Sequence, residues 1–337
     1  MDLSKIFLKD ACPTSIGGQA VMEGVMMRGP ERTAIALRLE DGRIHIKTEP
    51  NKKSGKFAKM PIIRGVFAFI GSMVVGMKAL LYSADVLEAN MDYEDEEPGK
   101  FEQWATKQFG DKFVWNMMIY LSVVFALVMT VGIFILLPTF AVNWLSMFTD
   151  SHILLNLAEG ILRIAIFIIY VAAISKMKDI KRVFQYHGAE HKTIHCFENG
   201  LELTPENADQ FYTLHPRCGT SFLMFVMVIS LILFSLCGWP GIWMRLLSRI
   251  LLIPVVAGLS YELLKVAGRS DNGVVKALSL PGIYLQKLTT KNPSLDQLEI
   301  AIASMKAVLV DEDAPYIEGI CDKDANLLET VEISRKN

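Results

Sequence analysis

The run FVWNMMIYLSVVFALVMTVGIFILLPTFAVNWLSMFT, residues 113–149, contains no Asp, Glu, Lys or Arg. A helix crosses the hydrocarbon core of a bilayer in about 20 residues. This run therefore holds a complete membrane span, roughly 115–141, with Trp115, Tyr120 and Trp144 available as interface anchors. Three further apolar stretches, about 153–175, 221–238 and 242–264, read as spans, the last two joined by a tight turn at Pro240-Gly241. Composition agrees: 52% of the 337 residues are hydrophobic and the mean hydropathy is +0.33. A soluble chain typically reaches about 45–50% apolar even with glycine counted.

The net charge of −2 argues against nucleic acid as a partner, because such proteins need a basic face. The five cysteines, Cys12, Cys196, Cys218, Cys237 and Cys321, are odd in number and lack a C-x-x-C spacing. They are not a disulfide framework, and they fit polar segments facing a reducing cytoplasm. The N-terminus has no apolar signal-peptide core, so internal helices are expected to direct insertion.

Orientation follows from lysine and arginine in the short loops. The 142–152 connection has neither, whereas 176–220 carries Lys176, Lys178, Lys181, Arg182, Lys192 and Arg217. Lys265, Arg269 and Lys276 follow the last span. The 176–220 loop and both termini are therefore expected in the cytoplasm of a multi-pass protein of the inner (plasma) membrane. Within the spans, Glu159 and Arg163 stand at i,i+4, and Arg245 and Arg249 lie near the outer end of the fourth. An unpaired charge there is costly. Glu159 and Arg249 sit at matching depth and are expected to face each other as an intramembrane pair.

The chain as a whole divides into five parts. Residues 1–59 form a cytoplasmic glycine-rich β segment in which Glu40-Asp41-Gly42 joins two alternating runs as a hairpin. Residues 60–84 are helical, but their uncharged core, Gly65 to Met77, is too short to span. This stretch reads as a re-entrant or interfacial helix, with a fifth short span as the alternative. Residues 85–112 are an acidic linker around Asp92–Gly99, and 113–270 hold the transmembrane helices with a His-rich helical hairpin at 176–220. Residues 271–337 are a cytoplasmic tail with an amphipathic helix opened by the capping box Ser294-Leu295-Asp296-Gln297; beyond about 311 it is acidic and weakly patterned. The fold class is mainly α, a polytopic helical membrane protein with about four transmembrane helices and a small N-terminal β element.

The chemistry concentrates in Tyr186-His187-Gly188-Ala189-Glu190-His191-Lys192-Thr193-Ile194-His195 and His215-Pro216-Arg217-Cys218-Gly219. Helical character is expected from the second span through to Glu198, ending at Asn199-Gly200. A second helix opens at Thr204-Pro205 and runs to about Leu214. His187, His191 and His195 fall on one stripe. Two histidines four apart can chelate one ion, but at a rise of 1.5 Å per residue the outer two are about 12 Å apart. One pair chelates, and the third serves the surroundings or a second ion. The order H-x-x-E-H places Glu190 as general base, with His215 or Cys218 as third ligand and zinc as the expected metal. Glu23 and Gln19 are candidates to cap this site from the N-terminal segment. Glu262 is a candidate further carboxylate, the alternative being a paired helix-end charge.

Four strings carry a resemblance. They are Gly17-Gly18-Gln19-Ala20-Val21-Met22-Glu23-Gly24-Val25-Met26-Met27-Arg28-Gly29-Pro30, Tyr186–Lys192, His215-Pro216-Arg217-Cys218-Gly219-Thr220-Ser221-Phe222, and the tail run Gln286-Lys287-Leu288-Thr289-Thr290. Over nearly its whole length the chain resembles the YqhQ-like family of membrane proteins from bacteria and chloroplasts (domain of unknown function 1385). The resemblance implies a metal-dependent protein without an assigned reaction, and it draws the N-terminal glycine-rich segment into the site. Three functions are expected from these readings. The first is a zinc-dependent, hydrolase-like membrane enzyme at the cytoplasmic face. The second is a metal-stabilised scaffold or assembly factor with membrane-protein partners or as an oligomer, and the third a small-solute transporter.

Overall fold

A computed structural model describes residues 14–51, 60–90, 100–238, 240–267, 273–310, 314–321 and 327–333. The acidic run Asp92–Gly99 lies outside them. Strands β1 (Gly17–Val21), β2 (Gly24–Arg28), β3 (Arg32–Arg38) and β4 (Ile44–Pro50) come first. Helices α1 (Ile63–Ala89), α2 (Lys100–Phe109) and α3 (Asp111–Val131) follow, and a π-helical turn at Gly132–Leu136 leads into α4 (Leu137–Leu145). Then come α5 (His152–Ile174), α6 (Lys178–Glu198), α7 (Pro205–Asp209), α8 (Gly219–Ser235), α9 (Ile242–Ala267), α10 (Gly273–Thr289) and α11 (Leu295–Val308). Strands β5 (Tyr316–Cys321) and β6 (Leu327–Ile333) close the chain.

The strands form one antiparallel sheet in sequential order, β1-β2-β3-β4-β5-β6. The β3–β4 turn is the expected one, with Gly42 in the left-handed region at φ 84. Alternation along the strands serves two cores, because successive side chains face opposite sides. Val25, Met27, Ala34, Ala36, Ile44 and Ile46 meet Tyr186, Ala189 and Ile194 of α6 and Leu298, Ile300 and Met305 of α11. Val21, Met26, Ile35 and Leu37 meet Ala79 of α1, flanked by Val75, Tyr82 and Val86. Within the tail, β5 pairs along β4, and Glu318 lies 3.5 Å from Lys47. The capping box holds, the Ser294 amide donating to Gln297 Oε1 at 3.0 Å.

Four helical segments are long and apolar enough to cross a membrane: Ile63–Ala89, Tyr120–Leu145, His152–Ile174 and Trp243–Val266. Such helices suggest contact with a lipid bilayer. Their number matches the expectation but their membership does not. The expected third span is the 17-residue α8, roughly 25 Å long. The stretch expected to be too short is the 27-residue α1, because Lys78 does not interrupt the helix. Two other boundaries move. A break at 175–177, with Met177 extended at ψ 138, separates α5 from α6. Helix α7 ends at Asp209 instead of near Leu214, which frees the following backbone to meet α6.

The chain forms two compact units. One holds Met1–Asn90, Val171–Ser230 and Leu246–Asn337; the other holds Met91–Tyr170 and Leu231–Arg245. In the second, Pro138 has no N–H to offer the carbonyl four residues earlier, and the helix widens into its π turn just before it. That carbonyl, Phe134 O, accepts Arg163 Nε at 3.0 Å. Arg163 Nη2 also donates to Glu159 Oε1 at 2.9 Å, and Thr139 Oγ1 donates to the same oxygen at 2.8 Å. Glu159 thus has an ion-pair partner, Arg163, within its own unit. Arg249, its expected partner, belongs to the other unit, and their pairing stays a proposal. Two charge-exchange doubles separate the options. Glu159→Arg with Arg163→Glu should recover the expression lost in each single variant if the i,i+4 pair carries the energy. Recovery by Glu159→Arg with Arg249→Glu instead would assign it to the other pair.

Candidate metal centre

Helix α6 presents the histidine stripe, and Gly188 lets it lie against the chain after α10. A Cβ at Gly188 would stand 2.1 Å from Lys291 O. The Lys291 amide donates to Phe184 O at 2.8 Å and closes the same contact. The helix stops as expected, with Asn199 as cap and Gly200 left-handed at φ 68.

Backbone carbonyls then fix the rings. His187 Nδ1 donates to Thr289 O at 2.8 Å, and His191 Nδ1 donates to Thr213 O at 2.5 Å. A carbonyl only accepts, so each Nδ1 carries a proton, and Nε2 is the lone-pair atom whenever the ring is neutral. His187 Nε2 points at Cys218 Sγ, 3.2 Å away. His191 Nε2 is buried and has no hydrogen-bond partner. One ligand atom from each of His187, His191 and Cys218 lies within 4.8 Å of the other two. Cys218 immediately precedes α8, where its sulfur takes the Thr220 N–H at 3.4 Å and meets Thr220 Oγ1 at 3.2 Å. Burial opposes the Cys218 thiolate, but His187 and His191 hold its pKa well below the usual thiol range. Burial likewise opposes the His187 cation, and the Cys218 and Glu190 charges outweigh it, raising its pKa to about 9.

Glu190 stands at the rim of this group, one carboxylate oxygen 4.0 Å from His187 Nε2. Burial pushes its carboxyl up, while His191 and His187 pull it down and the Gly18 amide hydrogen-bonds it. Gly18 has no side chain to clash: a Cβ would lie 2.9 Å from Glu190 Cγ. The N-terminal glycine run meets the site here, through Gly18.

The other histidines form a separate layer. His195 Nε2 donates to Leu214 O at 3.0 Å, and its ring lies 4.6 Å from that of His215. His215 Nδ1 accepts the Arg217 amide at 3.3 Å, and its Nε2 lies 3.7 Å from Glu198 Oε2. Burial lowers both, His195 to about 4 and His215 to about 3, so both stay neutral. Glu198 accepts Thr14 N at 2.9 Å and Thr14 Oγ1 at 3.0 Å, and pairs with Arg217. Burial raises the Glu198 pKa, but His215, the Thr14 amide and Arg217 outweigh it and bring it to about 2.

Other expected site residues are engaged elsewhere. Glu23 pairs with Arg182 and accepts Tyr186 Oη at 3.3 Å, one residue before His187. Gln19 Nε2 donates to Gly76 O at 3.4 Å. Glu262 pairs with Arg64 Nε at 2.6 Å, the helix-end pair weighed as its alternative. The sequence reading missed the second ring around the site. Gln286 of α10 accepts the His215 amide at 2.8 Å, and its Nε2 donates to His215 O at 2.8 Å and Ser221 Oγ at 3.0 Å. It clamps the segment that carries Cys218. The only sequence signal for this clamp was the family-like string Gln286–Thr290.

A family of proteins of unknown function, DUF1385, matches residues 60–311. The match begins downstream of β4. The Bacillus subtilis (strain 168) protein described as "Uncharacterized protein YqhQ" is 36% identical over 313 residues, 89% of this chain and 94% of that one. No solved structure matches the chain.

Glu198 gives the domain an acid limb. Its folded pKa is depressed, so its contribution is complete above the unfolded value of 4.5 and is lost as pH falls toward about 2. Across that window the loss is on the order of a few kcal/mol. Glu198→Gln should lower the unfolding midpoint at pH 7 and flatten the decline below pH 4.5. A decline of unchanged slope would show that Glu198 does not govern it. Gly188→Ala should cost about 1–3 kcal/mol through overpacking against Lys291 O, read as a lower melting temperature.

Proposed function

The chain belongs to the DUF1385 family, and we propose that it is a metal-dependent enzyme of the inner membrane, a zinc hydrolase with its site and both termini in the cytoplasm. One observation carries the reading: the buried His191 Nε2 has no hydrogen-bond partner, and His187, His191 and Cys218 each offer one ligand atom within 4.8 Å of the other two. Burying an acceptor unpaired is costly. A cation bound by His187, His191 and Cys218 removes that cost. The donor set fits zinc, which takes imidazole nitrogen and thiolate sulfur at about 2.1 and 2.3 Å. The Nδ1–carbonyl bonds are the supports that metal-bound histidines ordinarily have. Three protein donors leave a position open, as catalytic sites require.

When bound, zinc would supply Lewis acidity and a means of activating water near neutral pH. The chain's own groups would do the rest. Thr289 O and Thr213 O keep both imidazoles in the donating tautomer. Gln286 holds the His215–Cys218 segment in register. Glu190, its carboxyl held at the rim by Gly18, would accept the nucleophile's proton as general base.

The burial of His191 and Cys218, with His187 half-buried, favours a second reading, a structural ion that staples α6 to the head of α8 in a membrane scaffold. The polar group of Glu159, Arg163 and Thr139 favours a third, a small-solute path, for which Glu159→Gln with Arg249→Gln is the test: solute uptake into proteoliposomes should be unchanged.

Metal analysis comes first. The purified wild type should carry about one zinc per chain, and His187→Ala with His191→Ala should abolish it. Equal metal in both would end the metal reading. Glu190→Gln should retain zinc yet fail to complement a deletion strain. If it complements fully, the ion is structural.

A further inference from the structure

Helix α1 is long and apolar enough to span a membrane, but its surroundings say otherwise. We infer that α1 lies flat in the boundary between lipid headgroups and acyl chains, with the sheet packed beneath it on the aqueous side. The inference rests on the membrane placement proposed above and is independent of the metal.

One stripe of α1 is apolar and uncovered. Ile63, Phe67, Ile70, Val74, Met77 and Leu81 recur at helical spacing, and each is between 40% and 58% exposed. The stripe is about 27 Å long at 1.5 Å per residue. The next positions on the same face are Asp85 and Glu88, both exposed. The apolar face thus ends in charge.

The opposite stripe is buried against the sheet, over Val21, Met26, Ile35 and Leu37 and among polar groups of its strands. Gly76 is in close approach to Gln19, and Ser83 Oγ accepts the Met22 amide at 3.3 Å. Tyr82 Oη donates to Glu318 Oε1 at 2.6 Å, receives His45 Nε2 at 2.6 Å, and has Lys47 Nζ 4.1 Å above its ring. These groups belong to strands of an open sheet. Charged groups and unpaired strand edges do not sit in hydrocarbon. A helix bonded to them over its second half cannot have that half crossing lipid.

The first half is tied to helix ends. Gly65 is in close approach to Gly258 and Tyr261 of α9, Arg64 pairs with Glu262, and the Phe69 and Phe222 rings lie 5.3 Å apart. Phe222 is in the first turn of α8, and Glu262 is in the last turns of α9. The stripe therefore continues the apolar surface of α8 and of the membrane-length α9 at their common end. Lipid is the occupant that this continuity fits. A helix with one apolar face and a polar seat behaves this way, burying its face about 5–10 Å into the boundary.

The depth of α1 tests this. The full-length protein, in phosphatidylcholine–phosphatidylglycerol vesicles, would carry a fluorescent non-canonical residue singly at 67, 70, 74, 77, 81 or 88. Quenching by lipids brominated at a shallow or a deep acyl position is then compared, with residue 124 of α3 as the membrane control. The expected result is preferential shallow quenching, equal from 67 to 81 and lost at 88, with deep quenching at 124. Deepest quenching at 74, falling off toward both ends, would make α1 a spanning helix and overturn the inference. No quenching from 67 to 81 with deep quenching at 124 would mean a protein partner or second copy covers the stripe. No quenching anywhere, 124 included, would instead remove the membrane placement itself.

Discussion

The bonds from His187 Nδ1 to Thr289 O and from His191 Nδ1 to Thr213 O determine what the rest of the site can be. Because carbonyl oxygens cannot donate, the bonds reserve both Nε2 atoms, as lone-pair atoms in the neutral rings, for the group that contains Cys218. Holding those two carbonyls in place explains much of the surrounding architecture. Gly188 lets α6 approach the segment after α10, Gln286 clamps His215, and α7 stops early so that residues 210–214 can turn along α6. A single ring flip at His191 would aim Nδ1 at the sulfur and leave Nε2 facing a carbonyl.

Around that group the protein separates charge by burial. His195 and His215 are kept neutral by desolvation. Glu198 is kept ionised by Thr14, Arg217 and its nearness to His215. The result is an imidazole-and-thiolate centre with a neutral imidazole layer on one side and the Glu190 carboxyl on the other. Its walls come from residues near 14–24, 186–198, 213–221 and 286–291, which the sheet gathers by pairing strands from both ends of the chain.

Parts of this were legible in the sequence because they rest on local rules. Asp41-Gly42, Thr204-Pro205, Asn199-Gly200 and Ser294–Gln297 each fix a turn or a cap through their own side chains, and each stands where expected. The stripe of His187, His191 and His195 follows from helical spacing, and so does the conclusion that all three cannot share one ion. What was not legible depends on contacts distant in sequence. His215, the other candidate third donor, is engaged elsewhere: its Nδ1 accepts the Arg217 amide and its Nε2 lies beside the Glu198 carboxylate. Gln286 and Thr289 have no pattern that marks them as parts of a site on α6. Strands β5 and β6 are short and mixed in polarity, and they exist because β4 offers an edge. Counting uncharged residues underestimated the length of α1, because Lys78 is exposed without ending the helix.

Zinc K-edge X-ray absorption on the purified, zinc-loaded protein tests the central claim most directly. The account predicts one sulfur scatterer at about 2.3 Å and imidazole nitrogens at about 2.1 Å, with the sulfur lost in Cys218→Ser. A shell of nitrogen and oxygen alone in the wild type, or a sulfur signal that persists in Cys218→Ser, would contradict it.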